Sequence, residues 1–249
     1  MTRIHLLGTG GYHPTEDRHT LCLMIPEDGL VLDAGTGFFR VRELLRTSSL
    51  DILLSHAHLD HSCGLTYLLD VLWNRGVEKV TVHSAQEHLE AVESSLFRSP
   101  MFPLAFDHGC HAIEGPFSIG TWMVRSRRQR HPGGSLGFRL DGPTGSIAYI
   151  TDTTAEPDDD EAVAFLREVD LLFHECYFPD ELEMLARSSG HSTASGVGKI
   201  ARAAQVGRLM LIHPNPLASV ADLQTLEGRV REYFPDAALA RDGMIVDVN

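Results

Sequence analysis

The sequence lacks the features of a secreted or membrane protein. Its four cysteines are widely spaced and form no C-x-x-C pair, which is typical of reduced thiols in a cytosolic enzyme rather than of a disulfide framework. No apolar run approaches the roughly 18 residues of a membrane span. The apolar stretch near the N-terminus is short and interrupted by glycines, unlike the core of a signal peptide. These absences predict a cytoplasmic protein with no membrane association.

An excess of basic residues is also absent. The chain has 21 lysines and arginines against 34 acidic residues, a formal net charge of −13. Phosphate contacts supply most of the affinity of proteins that hold nucleic acid, so this balance argues against an extended nucleic-acid surface. One basic cluster leaves two interpretations open, a solvated strand end or a phosphate clamp; it consists of Arg125, Arg127, Arg128 and Arg130.

No linker, repeat or low-complexity tract divides the 249 residues, so we predict one domain spanning 1–249. Apolar and alternating segments predict strands at 3–7, 19–25, 30–32, 51–54, 79–82, 117–125, 136–140, 147–150, 171–173 and 209–212. Helical spacing predicts helices near 37–47, 65–72, 84–96, 162–169, 197–204 and 219–230, with capping boxes at Ser84 and Ser219, and a loop over 98–116. This order predicts an α/β fold, a four-layer αββα sandwich with two sheets inside and helices outside.

Metal-ligand side chains follow several of these predicted strands. His56, Asp152 and His213 each come directly after a short, mostly apolar run, and His174 with Glu175 ends a fourth run. A side chain just past a buried strand has a rigid base and lies at the edge of the sheet, where ligands collect in open α/β folds. These strand ends are therefore candidates for a common site.

The densest cluster is the H-x-H-x-D-H run at 56–61. Alternate residues of extended chain point the same way, so His56 and His58 can bind one metal while Asp60 and His61 turn toward a second. A lone histidine is more often structural, but four ligand-type residues within six positions indicate a metal site. Two metals need further ligands from elsewhere in the chain, for which His131, Asp152 and His213 are the candidates. Imidazole with carboxylate suits zinc, with manganese or iron as alternatives.

With these motifs in place, the sequence resembles the metallo-β-lactamase fold family, and within it ribonuclease Z and its small relatives. His-Ala-His-Leu-Asp-His at 56–61 is the family's signature. The other matching segments follow in the family's order and span nearly the whole chain: 7–11 with 14–15, 32–35, 131–139, 149–153, 174–178, 190–194 and 211–213.

The resemblance implies roles for individual residues. It implies one metal on His56, His58 and His131, a second on Asp60, His61 and His213, and Asp152 as the bridging ligand. Flavodiiron relatives carry a glutamate at the position of His58, so zinc is favoured over iron. The resemblance also implies that His191 lies beside the scissile phosphate as a proton donor, with Glu175 as its hydrogen-bond partner. Asp60 is counted with His191 and Glu175 among the catalytic residues.

A departure from the family bears on the substrate. Ribonuclease Z inserts a long arm that grips transfer RNA between the third histidine and the bridging aspartate. Here that interval, from His131 to Asp152, is only 21 positions, which strands and a turn fill. We therefore predict a dinuclear phosphodiesterase acting on a small molecule or RNA. The alternatives are transfer-RNA 3′ processing, hydrolysis of a lactone, thioester or β-lactam, and a binding module without turnover.

Two features stay open at this point. The family often forms dimers, so a homodimer is an expectation. Cys110 is flanked by His108 and His111, which leaves a separate metal site as an alternative to a loop with exposed histidines.

Overall fold

The computed structural model describes residues 1–98, 100, 102 and 108–248, and within them the chain forms two compact units, residues 2–120 with 241–247 and residues 121–240. The strands are β1 Thr2–Gly8, β2 Cys22–Ile25, β3 Leu30–Leu32, β4 Ser49–Leu53, β5 Lys79–Ser84, β6 Gly109–Ala112, β7 Phe117–Ile119, β8 Trp122–Gln129, β9 Ser135–Gly142, β10 Gly145–Ile150, β11 Leu171–Glu175, β12 Arg208–Ile212, β13 Ala237–Leu239 and β14 Ile245–Val248. The α-helices are α1 Val41–Leu44, α2 Leu59–Ser62, α3 Leu68–Val71, α4 Gln86–Ala91, α5 Asp160–Leu166, α6 Glu183–Ser189, α7 Ala194–Ala203 and α8 Val220–Arg231.

The first sheet has the order β14-β1-β2-β3-β4-β5-β6. Strands β1 to β3 pair antiparallel, whereas β3 to β6 pair parallel. Parallel strands end at the same edge of a sheet, and Leu32 of β3 lies opposite Leu53 of β4. The residues that follow these two strands are Asp33 and, three positions past Leu53, His56. The register therefore places Asp33 and the start of the H-x-H-x-D-H run side by side.

The second sheet has the order β13-β12-β11-β10-β9-β8-β7, antiparallel from β8 to β10 and parallel from β10 to β13. Ile150 lies opposite His174, and Glu175 lies opposite Ile212. Because of this register, Asp152, Glu175 and His213 lie at one edge, at the carboxyl ends of three adjacent parallel strands.

Helices cover these strands through apolar stripes at helical spacing. In α7, Val197, Ile200 and Ala201 are buried against β10 to β13, together with Leu226 and Val230 of α8. The capping box predicted at Ser219 is present, because its hydroxyl accepts from the amide of Asp222 while the Asp222 carboxylate accepts from Ser219. Within the described residues, no helix combines the length and hydrophobicity of a membrane-spanning segment. The prediction of one domain over 1–249 stays a prediction.

Several local predictions are wrong. The capping box at Ser84 does not form, since Ser84 ends β5 and its hydroxyl donates to Leu54 O, while α4 begins at Gln86 after Ala85 as N-cap. The helices predicted near 37–47 and 65–72 are each a 3₁₀ turn followed by one short α-helical turn. The segment 117–125 splits into β7 and β8 at Gly120, where φ is 54°. The loop predicted over 98–116 contains β6, and its residues 99, 101 and 103–107 lie outside the described residues.

Candidate active site

Asp33 organises two of the predicted metal ligands in the first unit. Its Oδ2 lies 2.7 Å from Nδ1 of His61 and also accepts a hydrogen bond from Oγ of Ser55 at 2.8 Å. The same Ser55 oxygen lies 3.0 Å from Nδ1 of His56. Because the hydroxyl proton is donated to Asp33, the Ser55 oxygen accepts from His56 Nδ1. Both imidazoles therefore carry a proton on Nδ1 and a lone pair on Nε2.

The H-x-H-x-D-H run brings its four ligand-type side chains together. The ring of His56 lies 4.4 Å from that of His58 and 4.3 Å from that of His61. Asp60 enters from the first turn of α2, where its Oδ2 lies 3.2 Å from Nε2 of His61 and accepts from the amide of Tyr12. The first unit thus presents three imidazoles and one carboxylate. The imidazoles of His56 and His61 are buried.

A glycine makes this arrangement possible. A Cβ on Gly35 would lie 2.3 Å from the carbonyl oxygen of Asp60, a distance that no side chain tolerates. The Asp-Ala-Gly sequence that follows β3 therefore serves two purposes. Asp33 orients the histidines, and Gly35 allows the backbone of the metal-ligand run to approach.

In the second unit, Asp152 directs its two oxygens at two different histidines. Its Oδ2 lies 3.5 Å from Nε2 of His131, and its Oδ1 lies 3.4 Å from Nε2 of His213. His131 donates through Nδ1 to the carbonyl of Gly190 at 3.1 Å, which leaves the Nε2 lone pair directed toward Asp152. Asp152 is 2% exposed, and Thr151 donates a hydrogen bond to its Oδ1.

His191 lies beside this carboxylate and is held by Glu175. Ligand-type atoms of Asp152, His191 and His213 all lie within 4.8 Å of one another. Nδ1 of His191 lies 2.9 Å from Oε1 of Glu175, which is fully buried and also accepts from the amides of Thr153 and Ser192. The neighbouring His174 is also buried, and burial lowers the pKa of its imidazole below the ordinary value of 6.5.

Three residues at the strand ends adopt left-handed backbone conformations without being glycine. The φ angles are 57° at Asp33, 44° at Asp152 and 54° at His213. Such conformations cost of order 1–3 kcal/mol and persist where surrounding structure imposes them, most often at functional sites. The strain therefore supports a functional role for all three.

The donor set fits divalent cations. The Nε2 lone pair of His131 and the Nε2 atom of His213 face carboxylate oxygens of Asp152 at 3.5 and 3.4 Å. Two ligand atoms bound to one tetrahedral zinc at about 2.0–2.2 Å are separated by about 3.4 Å. The hydrogen bonds from Nδ1 to carboxylate, hydroxyl or carbonyl are those that orient metal-binding histidines. In each unit, the residues predicted from sequence thus have the donor chemistry of divalent-cation ligands.

Sequence reasoning assigned no role to Asp33, Ser55 or Tyr177. Asp33 directly follows the buried run of β3, the same signal that identified Asp152 and His213, and could have been found by it. Tyr177 stacks on His191, with ring centroids 4.5 Å apart and planes inclined by 16°.

Three of the four arginines of the basic cluster are paired with acids. Arg125 lies 2.5 Å from Asp141, Arg127 lies 2.6 Å from Asp159, and Arg130 lies 2.7 Å from Glu156. These ion pairs favour the interpretation of a charged strand surface over that of a phosphate clamp.

The second cysteine-and-histidine cluster lies at the edge strand β6. His108 Nε2 lies 2.8 Å from Glu93, and these two residues with Cys110 could hold a metal ion. His111 lies on the same strand, and its Nδ1 is 2.9 Å from Nδ1 of His83.

Comparison with known proteins supports the same family. The model of the beta-lactamase superfamily domain matches residues 30–214. A "Ribonuclease Z" of Gemmatimonas aurantiaca is 28% identical, with 98% of this chain and 95% of that protein aligned. The crystal structure of the metallo-beta-lactamase fold protein YhfI from Bacillus subtilis superposes with a TM-score of 0.81 at 20% identity, covering 99% of this chain and 100% of the other. A diphosphatase of the PhnP family gives a TM-score of 0.75 at 19% identity, covering 100% and 98%.

These likenesses confirm the predicted α/β fold, since both solved structures match over essentially the whole chain. The family model covers most of the chain and includes all seven predicted ligands, from His56 to His213 near its end. The chain belongs to the metallo-β-lactamase superfamily and is a metal-dependent hydrolase of that superfamily.

Proposed function

We propose that this hydrolase is a phosphodiesterase that binds two divalent cations, and that its substrates are small diesters. Zinc is the proposed identity of both cations. The proposed ligands are His56, His58, Asp60, His61, His131, Asp152 and His213. When bound, such a pair of cations acidifies a water molecule and offsets the negative charge that develops on the phosphoryl oxygens. Manganese and iron are the alternatives to zinc.

The observation that carries this proposal is the position of His191 beside Asp152 and His213. Hydrolysis of a phosphodiester forms a bond from the water oxygen to phosphorus and breaks the bond from phosphorus to the ester oxygen. An alkoxide leaves poorly unless it receives a proton, and an imidazole near its pKa is a suitable donor. Glu175 fixes the Nδ1 proton of His191, so that Nε2 is the nitrogen that delivers a proton to the leaving oxygen.

Three observations favour a small diester over transfer RNA. Strands β9 and β10 occupy most of the positions between His131 and Asp152, so that interval contains no long insertion. The alignment with ribonuclease Z runs over 308 positions, more than the 249 residues of this chain, so that relative has segments that this chain lacks. The net charge of −13 opposes binding of a polyanion.

Transfer-RNA 3′ processing is the second candidate, because a ribonuclease Z aligns over nearly the whole chain. The two are separated by assaying the zinc-loaded protein on bis-p-nitrophenyl phosphate, a cyclic nucleotide, a pre-tRNA and a lactone. We expect the highest kcat/KM on a small diester. Efficient, salt-sensitive cleavage at the 3′ trailer of the pre-tRNA would establish the second candidate instead, and turnover of the lactone alone would exclude both. A protein that holds the metals and turns over no substrate would be the binding module.

A cytoplasmic location and a homodimer are part of the proposal. Sedimentation equilibrium of the full chain measures the second, and a monomer at micromolar concentration would contradict it.

A further inference from the structure

A cavity of about 760 Å³ lies next to the proposed proton donor in the second unit. Tyr177 lines it and also stacks on His191. Asn215 and Leu217 also line the cavity, only two and four residues after the proposed ligand His213. Two chain segments that carry catalytic candidates therefore continue directly into the cavity wall.

The position of Tyr177 relates the cavity to the leaving group. His191 gives its proton to the departing oxygen in the proposed reaction, so the alcohol that departs must lie against His191. The Tyr177 ring forms a wall common to His191 and the cavity. An alcohol larger than methanol would thus extend along this ring into the cavity.

The walls combine apolar surface with negative charge. Phe178, Leu217 and Leu226 contribute apolar side chains, and Leu217 is 84% exposed. The charged lining consists of four carboxylates and one guanidinium: Asp180, Glu181, Asp222, Glu232 and Arg229.

The single guanidinium is already engaged. Nε of Arg229 lies 2.7 Å from Asp180, and Nη1 donates to Glu232. Burial alone would raise the pKa of Asp180, but the hydrogen bonds from Arg229 and from the amide of Ser195 bring it below its ordinary value, so this carboxylate is ionised at neutral pH. Because the lining has more carboxylates than guanidinium groups, an anionic group entering the cavity would be repelled, whereas a cation would be attracted.

We propose that this cavity is the leaving-group subsite and that it selects diesters of an apolar or cationic alcohol against those of an anionic alcohol. The proposal rests on the proposed function, because it places the departing alcohol of the same reaction. It excludes a polynucleotide chain from the leaving side, since every further nucleotide there would bring a phosphate into an acidic cavity.

The test uses the zinc-loaded protein and methyl phosphodiesters whose second alcohol is ethanol, benzyl alcohol, choline or 3-hydroxypropanoate, with formation of methyl phosphate followed by phosphorus NMR. We expect kcat/KM for the benzyl and choline esters to exceed that of the ethyl ester by about tenfold, the range that one apolar pocket contact provides. The carboxylate ester should be the poorest substrate.

Two variants, each with a control, test whether the cavity residues produce the preference among alcohols. Glu181→Lys should lower kcat/KM of the choline ester and raise that of the carboxylate ester by about three- to fivefold each, the strength of an exposed charge interaction. Glu78→Lys makes the same charge change at an exposed residue that does not line the cavity, and should alter neither. Tyr177→Ala should reduce the benzyl-to-ethyl ratio, whereas Tyr177→Phe should preserve it.

The outcomes separate this proposal from the function on which it rests. Cleavage of bis-p-nitrophenyl phosphate without preference among the four alcohols would overturn the subsite and leave the phosphodiesterase intact. No cleavage of any diester would remove both. If Leu217→Arg converted a dimer into a monomer while the alcohol preference stayed unchanged, a second copy of the chain would be the occupant of this surface, and the subsite proposal would be wrong.

Discussion

Nδ1 of His191 lies 2.9 Å from Oε1 of Glu175, a carboxylate with no exposed surface. Glu175 is held in place by the amides of Thr153 and Ser192, so it cannot follow the imidazole if the ring turns. The geometry therefore fixes both the tautomer and the direction of the ring. This is the geometry of a histidine with a dedicated orienting group rather than that of a helix cap, and it meets the requirement of the proposed proton donor.

We expect His191→Ala to lose about 10²- to 10⁴-fold in kcat on an alkyl phosphodiester, which is the usual contribution of general acid catalysis. The loss on a p-nitrophenyl ester should be much smaller, because p-nitrophenolate leaves without a proton. Steady-state kinetics on the two esters, with metal content measured in parallel, provide the test. Equal losses on both esters, or loss of metal from the variant, would show that His191 has another role.

Asp33→Asn tests the arrangement behind the histidine run. The carboxylate accepts through both oxygens, with Oδ2 facing Ser55 Oγ and His61 Nδ1 and Oδ1 facing the amide N–H of Ser55. An amide has only one acceptor oxygen, so its NH2 group must face one of these donors, and His56 and His61 lose their fixed orientation. Removal of such an orienting group typically weakens metal binding by about 10- to 100-fold, and we expect that loss in competition with a chelating dye.

A matched control for Asp33→Asn exists in the same sheet. Asp51 holds His83 at 2.7 Å in an equivalent carboxylate–imidazole pair, although neither residue is a proposed ligand. Asp51→Asn should leave metal affinity within twofold of the unaltered protein. Equal effects of the two substitutions would mean that Asp33 acts through general stability only.

The sequence predicted the candidate ligands because their signal is local. A buried apolar run followed by histidine or aspartate is visible within five residues, and at Asp152 and His213 the structure shows that signal as a strand followed by a left-handed residue. The role of Asp33 depends on partners 22 and 28 residues away in the chain. The parallel register of β3 and β4 brings these partners together, and periodicity does not reveal it.

The two predicted capping boxes show the same limit. Ser219 caps α8, whereas Ser84 donates to the carbonyl oxygen of Leu54, directly after β4, and α4 has no side-chain cap. The local sequence predicts the same capping hydrogen bond for both serines, but in the folded protein Ser84 bonds to a residue distant in the chain instead. For the same reason the apolar spacing near 37–47 and 65–72 indicated helix but not its division into 3₁₀ and α turns.

His174 predicts a dependence of stability on pH. Burial lowers the pKa of its imidazole in the folded protein, whereas the unfolded chain retains the ordinary value of 6.5. As pH falls through 6.5, the unfolded chain therefore takes up a proton that the folded protein does not, and the free energy of unfolding decreases; above 6.5 this contribution is constant. In excess chelator, the fall in unfolding free energy between about pH 8 and about pH 5.5 should be smaller in His174→Gln than in the unaltered protein. An identical fall in both proteins would exclude a buried, neutral His174.

Asp152 is the residue on which both metals should depend. Its two oxygens face Nε2 of different histidines, His131 and His213, and the left-handed backbone at Asp152 holds the carboxylate in that orientation. We expect protein purified without chelator to contain close to two equivalents of a first-row transition metal by elemental analysis. Asp152→Ala should lose most of both equivalents, because the carboxylate is proposed to bind both ions and its removal weakens both sites. Asp152→Asn keeps the shape of the side chain and one oxygen acceptor, so it should retain more metal than the alanine variant while remaining folded. A single tightly held ion that persists in Asp152→Ala would contradict a dinuclear centre, and the reaction would then have to proceed at one metal.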